Sequence, residues 1–122
     1  MPTLPIHTLG QRGEQLATEY LKRQDYTILA TNWHCKNGEI DIVAQKATTL
    51  VFVEVRTRHA EDTESAFESI TPRKQARMIA AAQAYIAAHD LDEMDWRIDM
   101  IGIAFPQNGK PIIEYAEDVL GW

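Results

Sequence analysis

Two neighbouring stretches decide the fold: Gly38-Glu39-Ile40-Asp41-Ile42-Val43-Ala44 and Leu50-Val51-Phe52-Val53-Glu54-Val55-Arg56. The first alternates charged and apolar residues, as a half-buried strand does. The second is almost wholly apolar and β-branched, which predicts a central strand covered on both faces. A short loop at Lys46–Thr49 joins them into a hairpin. If Gln45 faces Leu50, the same register sets Asp41 directly opposite Glu54. Directly opposed residues of an antiparallel pair share a face, and Glu39 and Arg56 share it too.

Two carboxylates so placed repel, and Glu54 stands between Val53 and Val55. A buried, unpaired carboxylate costs several kcal/mol even after relaxation. A cation must offset that cost or one acid must keep its proton. Arg56 is one candidate cation; a bound Mg²⁺ or Mn²⁺ is the other, since such ions take carboxylate oxygens and leave positions for phosphate and water. The plain alternative is a cross-strand ion pair on a solvated sheet face.

Outward from the hairpin, a helix is expected near Leu9–Gln24, with Leu16, Ala17, Tyr20 and Leu21 at helical spacing. Glu14 lies at the edge of that apolar stripe, and Gly10 and Gly13 permit close approach by backbone or ligand. Glu14 reads either as a site residue or as a first-turn acid favoured by the helix dipole. A strand rich in Thr, Ile and Leu follows at Tyr26–Asn32. Residues 59–69 read as a polar loop. Thr71-Pro72 opens a second helix reaching about His89, with Thr71 as N-cap and Pro72 at its first position. Gln75 extends its Met78/Ile79 face, with Arg73, Lys74 and Arg77 nearby for phosphate. Strands at Trp96–Phe105 and Pro111–Ala116 flank a turn at Asn108-Gly109. Asp99 either pairs with Arg97 or supports the hairpin site from a neighbouring strand. Trp33 and Trp96 read as core.

The whole is one α/β domain over residues 1–122, its core at about 10–105, with a strand and tail to 122 and a mixed central sheet flanked by helices. The formal net charge is −6. It is uneven: residues 1–60 carry seven basic and six acidic side chains, residues 61–122 five and twelve. That argues against strong nonspecific nucleic-acid binding and puts any phosphate-binding surface on the first half. The acidic second half and the aromatic end, Tyr115 and Trp122, offer a surface for a partner or a homodimer. No apolar run spans a membrane, no secretory signal opens the chain, and a lone cysteine, Cys35, suits a reducing compartment. The expected location is therefore cytoplasmic. His34 and Cys35 lack the second ligand pair that zinc needs, and there is no Gly-rich phosphate loop.

Asp41 followed by Glu54-Val55-Arg56 on the next strand resembles the PD-(D/E)XK signature of restriction-endonuclease-like nucleases, whose α-β-β-β-α-β core the element order also resembles. Gly13-Glu14, Asn32-Trp33, Gly38-Glu39-Ile40-Asp41, Val51 to Arg58 and Lys74-Gln75 together resemble the YraN-like family of small bacterial proteins. The resemblance implies that Asp41 and Glu54 ligate Mg²⁺ or Mn²⁺, with the Val55 carbonyl completing the site. Glu14 would match the first-helix acid of the Holliday-junction resolvases, and Gln75, Lys74 and Arg58 would face nucleic acid. Ile40 replaces the signature proline. Arg56 replaces its lysine and, being protonated at any working pH, steadies phosphate charge rather than acting as a base. Three functions follow as expectations: a metal-dependent nuclease for branched or single-stranded DNA or RNA, an inactive nucleic-acid-binding module, or a protein-interaction scaffold.

Overall fold

The computed structural model describes residues 8–68 and 70–120. Helix α1 (Leu9–Arg23) is followed by the strands β1 (Thr27–Cys35), β2 (Gly38–Lys46) and β3 (Thr49–Arg58). Helices α2 (Glu64–Glu68) and α3 (Pro72–Ala88) then lead to β4 (Asp95–Ala104) and β5 (Ile112–Ala116). One five-stranded sheet runs in the order β1-β2-β3-β4-β5. Its pairs are antiparallel except β3 with β4, which α2 and α3 connect in parallel.

The near-continuous apolar run of β3 follows from helices on both faces of the sheet. Val51 and Val53 pack with Ile42, Ala44, Ile101 and Ile103 beneath Ala17 and Leu21 of α1. Leu50 and Phe52 turn the other way, with Val43 and Ile98, to meet Ala81, Ala82, Tyr85 and Ile86 of α3. Trp33 sets its edge against Tyr85 at 5.2 Å between ring centres, and Trp96 meets Phe52 at 5.8 Å, so both are packing residues.

Local chemistry fixes the helix starts. The Thr8 hydroxyl accepts from Gln11 N at 3.1 Å while the Gln11 side chain accepts from Thr8 N at 2.9 Å, a reciprocal capping box. Thr71 caps α3 by accepting from Lys74 N at 3.2 Å, with Pro72 at its first turn. The β2–β3 hairpin pairs Lys46 with Thr49 and Gln45 with Leu50 across a turn in which Ala47 takes a positive φ of 53°.

The expectations need three corrections. The stretch 59–69 is not all loop: Glu64–Glu68 form α2, which tertiary packing holds where the sequence shows no periodicity. Ala66 is fully buried, and the Phe67 ring lies 2.7 Å from where a side chain at Gly102 would begin. β1 continues past Asn32 to Cys35, because Asn32 takes a left-handed φ of 50° without ending the pairing. Tyr115 is not offered to a partner: its hydroxyl donates to the fully buried Asp99 and lies 3.2 Å from the Tyr26 hydroxyl. Trp122 lies outside the described residues. Asp99 also accepts from Arg97 Nε at 3.0 Å and from Asp118 N at 2.8 Å, which resolves its partner as Arg97.

Candidate carboxylate site at the end of the β2–β3 ladder

The β2–β3 ladder ends at Ile42 opposite Val53. Beyond that pair a side chain links the strands: Val55 N donates to Asp41 Oδ2 at 2.8 Å. The bond holds Asp41 over the C-terminal end of β3, where it is also hydrogen-bonded to Glu54. The two acids are thus in contact, in the register that the hairpin loop sets, but where the strands part rather than as a laddered pair. Ligand sites in open α/β sheets gather at the carboxyl ends of parallel strands, and this is such an end.

Burial is the main reason both acids hold their protons more tightly than usual. Glu54, only 13% exposed, is pushed up to about 8, first by desolvation and then by the negative charge of Asp41. Asp41 is also raised by desolvation, against the lowering pull of the Val55 N–H and the Glu54 hydroxyl. One proton is therefore shared at neutral pH, with Glu54 donating to the Asp41 carboxylate. Arg56 offsets the remaining charge: its Nη2 lies 2.9 Å from Glu54 Oε1. Its Nε is buried with no hydrogen-bond partner among the described residues.

An open cleft of about 380 Å³ adjoins the pair, lined by Glu14, Asn32, Glu39, Asp41, Val55, Arg56 and Arg58 among others. Glu14 reaches it from α1, which can lie close on β3 because residue 13 is glycine. A side chain there would start 2.1 Å from Thr57 Oγ1. Glu14 Oε1 accepts from Asn32 Nδ2 at 2.5 Å. Desolvation, then the charge of Asp41, holds the Glu14 proton more tightly than usual, while the Asn32 bond works the other way. Lys74 and Gln75 sit in the first turn of α3 and do not line this cleft, whereas Arg58 does.

The donors are hard oxygens, the type that Mg²⁺ and Mn²⁺ take. Among the described residues no three His, Cys, Asp or Glu side chains are gathered closely enough to enclose an ion. Two touching carboxylates, of which Asp41 lines the open cleft and Glu54 stands behind it, fit an ion that completes its shell from water and substrate oxygens. A closed cage is not what they form.

Asn32 is the site residue whose part the sequence reading missed. It stood there only within a family-like dipeptide. Its signal was compositional: asparagine is disfavoured in strands, and its side chain tolerates the left-handed backbone found here.

Among the described residues no helix is long and apolar enough to cross a membrane. Residues 13–103 match the model of the uncharacterised protein family UPF0102. A UPF0102 protein of Chloroflexus aurantiacus is 50% identical over 116 residues, covering 94% of this chain and 92% of the relative. One from Roseiflexus castenholzii is 52% identical over 97 residues, covering 79% and 78% respectively. Another, from Dehalococcoides mccartyi, is 43% identical over 112 residues and covers 92% of both chains. The matched span takes in Glu14, Asp41, Glu54 and Arg56, and the chain belongs to the family UPF0102.

Proposed function

We propose that this protein is a divalent-metal-dependent nuclease that hydrolyses phosphodiester bonds of DNA or RNA. One observation carries the reading: two acids from adjacent strands touch at the open end of a ladder, and one of them, Asp41, lines a cleft that also holds Glu14 and Arg56. The resemblance to restriction-endonuclease-like nucleases supports it.

Asp41 and Glu54, with the Val55 carbonyl, are the groups that would hold Mg²⁺ or Mn²⁺. When bound, the ion would polarise the phosphate and acidify a water. Asp41 stays oriented by the Val55 N–H throughout. Glu54 would have to give up its proton to hold the ion, since a cation would replace what the proton neutralises. Arg56 cannot take a proton from water, but its side chain lines the cleft, where a guanidinium suits charge on the reacting phosphate. Glu14, held by Asn32, is placed to accept from a water in the cleft.

The test is calorimetric titration of Mn²⁺ into wild type, Asp41→Asn and Glu54→Gln, followed by incubation with branched and single-stranded DNA and RNA. Saturable binding lost in both variants, with Mn²⁺-dependent cleavage by wild type, is the expected result. Neither binding nor cleavage would overturn the reading. One observation favours a second reading, a non-catalytic nucleic-acid-binding module: the Arg56 guanidinium, 2.9 Å from Glu54 Oε1, already offsets the charge of the acid pair without a metal. That reading expects binding without metal and no cleavage.

A further inference from the structure

We infer that a second hollow, beside the carboxylate cleft, is a subsite for a single-stranded nucleic-acid segment flanking the bond to be cut. This deepens the polynucleotide reading above and rests on it. The hollow, about 610 Å³, is lined by Arg12, His59, Ala60, Glu61, Phe105 and, from the loop that follows, Pro106, Gln107, Gly109 and Pro111. It continues the first cleft: Gln11 and Arg58 line one, and their chain neighbours Arg12 and His59 line the other. A strand with one phosphate over Asp41 would therefore run next across Arg58, Arg12 and His59.

Three features suit that occupant. The first is charge. In a chain of net charge −6, neither Arg12 nor Arg58 has a carboxylate within ion-pair distance among the described residues. Glu61 is the acidic side chain lining the hollow. Two guanidinium groups without carboxylate partners, Arg58 lining the first cleft and Arg12 the hollow beside it, are a phosphate-binding arrangement.

The second feature is rigidity. Phe105 N donates to the Arg58 carbonyl at 2.8 Å and Ala60 N to the Phe105 carbonyl at 3.2 Å, which ties the rim to the end of β4. Arg58 Nη1 donates to the Thr57 carbonyl at 2.9 Å.

The third is a stacking surface. The Arg12 guanidinium lies over the buried Phe105 ring at 4.5 Å, so one plane is held and the group is set for a base on the other. An unpaired base can use such a plane; a base in a duplex cannot. A duplex also sets two strands of phosphates against an acidic protein, so a single strand is the better fit.

Fluorescence anisotropy of a 5′-labelled twelve-residue oligothymidylate in chelator tests this without cleavage. Wild type, Arg12→Ala, Arg12→Lys and Arg58→Ala are compared, with Arg23→Ala at the exposed far end of α1 as control. Arg12→Ala and Arg58→Ala should each weaken binding roughly five- to tenfold and lower the salt slope by about 0.7. Arg12→Lys should keep the slope and lose affinity, while Arg23→Ala should bind within about twofold of wild type. The labelled strand in duplex form should bind at least about fivefold more weakly. Absence of wild-type binding, equal duplex binding, or folded Arg12→Ala and Arg58→Ala proteins that bind like wild type would each overturn the subsite. Mn²⁺-dependent cleavage with rim-insensitive binding would remove the subsite and keep the nuclease. Rim-dependent binding without cleavage would do the reverse.

Discussion

Asp41 takes the backbone N–H of Val55 at 2.8 Å just where the β2–β3 ladder stops, so a side chain does the joining that backbone pairing does elsewhere in the hairpin. The bond has two consequences. It pins one acid against the strand that carries the other, and it leaves the second acid, Glu54, as the partner that must keep a proton.

The sign of the pH dependence follows. Glu54 holds its proton up to about pH 8 when folded, and the free side chain loses it near the ordinary glutamate value. Between those values the folded state binds more protons than the unfolded one, so stability falls as pH rises. Glutamine mimics protonated glutamate, keeping an amide to donate to Asp41 and an oxygen for Arg56. In chelator, Glu54→Gln should match wild type near pH 5 and melt higher at pH 8, by roughly 4–8 °C for a gain of 1–2 kcal/mol. Thermal scans across that range check this. A wild-type Tm that holds or rises from pH 5 to 8 would show that Glu54 ionises freely in the fold.

Asn32 gives a prediction about Glu14. Its amide donates to Glu14 Oε1 from a residue at φ 50°, so alanine would confound loss of the donor with backbone strain. Glycine separates them. Asn32→Gly should leave the fold intact, with stability within about 1 kcal/mol. It should also raise the Glu14 pKa further, because burial and Asp41 then act without the opposing hydrogen bond. Carbon-detected NMR titration of the Glu14 carboxyl measures this, and an unmoved midpoint would mean that the Asn32 bond is not held in solution.

How far the sequence led can be judged residue by residue. Hairpin register was legible because side-chain alternation and a short loop leave few choices: Gln45 faces Leu50 as the loop implies. Helix starts were legible because Thr71-Pro72 is a local signal. α2 was not, because its five residues are held by Phe67 against Gly102, a contact that no short window contains. Glu14 was ambiguous until α1 was seen lying on β3. Asp99 had two open roles; Arg97 Nε at 3.0 Å decides between them, and the Tyr115 hydroxyl that also donates to Asp99 lies 16 residues away on the next strand. The proton shared by Asp41 and Glu54 could be expected from charge crowding, whereas the Val55 bond that orients it depends on where the strands part.

The last prediction concerns the contact that brings Glu14 to the cleft. A β-carbon on Gly13 would meet Thr57 Oγ1 at 2.1 Å and the Thr57 Cβ and Cγ2 at 3.1 Å, so α1 cannot keep its place with alanine there. Gly13→Ala should cost about 1–3 kcal/mol, as overpacking does, despite alanine's better helix propensity. Thr57→Ala removes the hydroxyl and the methyl that clash, leaving only the β-carbon. The double variant should therefore recover at least about 1 kcal/mol relative to the sum of the two single changes. Urea denaturation of the four proteins yields that coupling directly. Strict additivity would mean that α1 and β3 are not in contact at Gly13 and Thr57, and that Glu14 does not reach the cleft by this route.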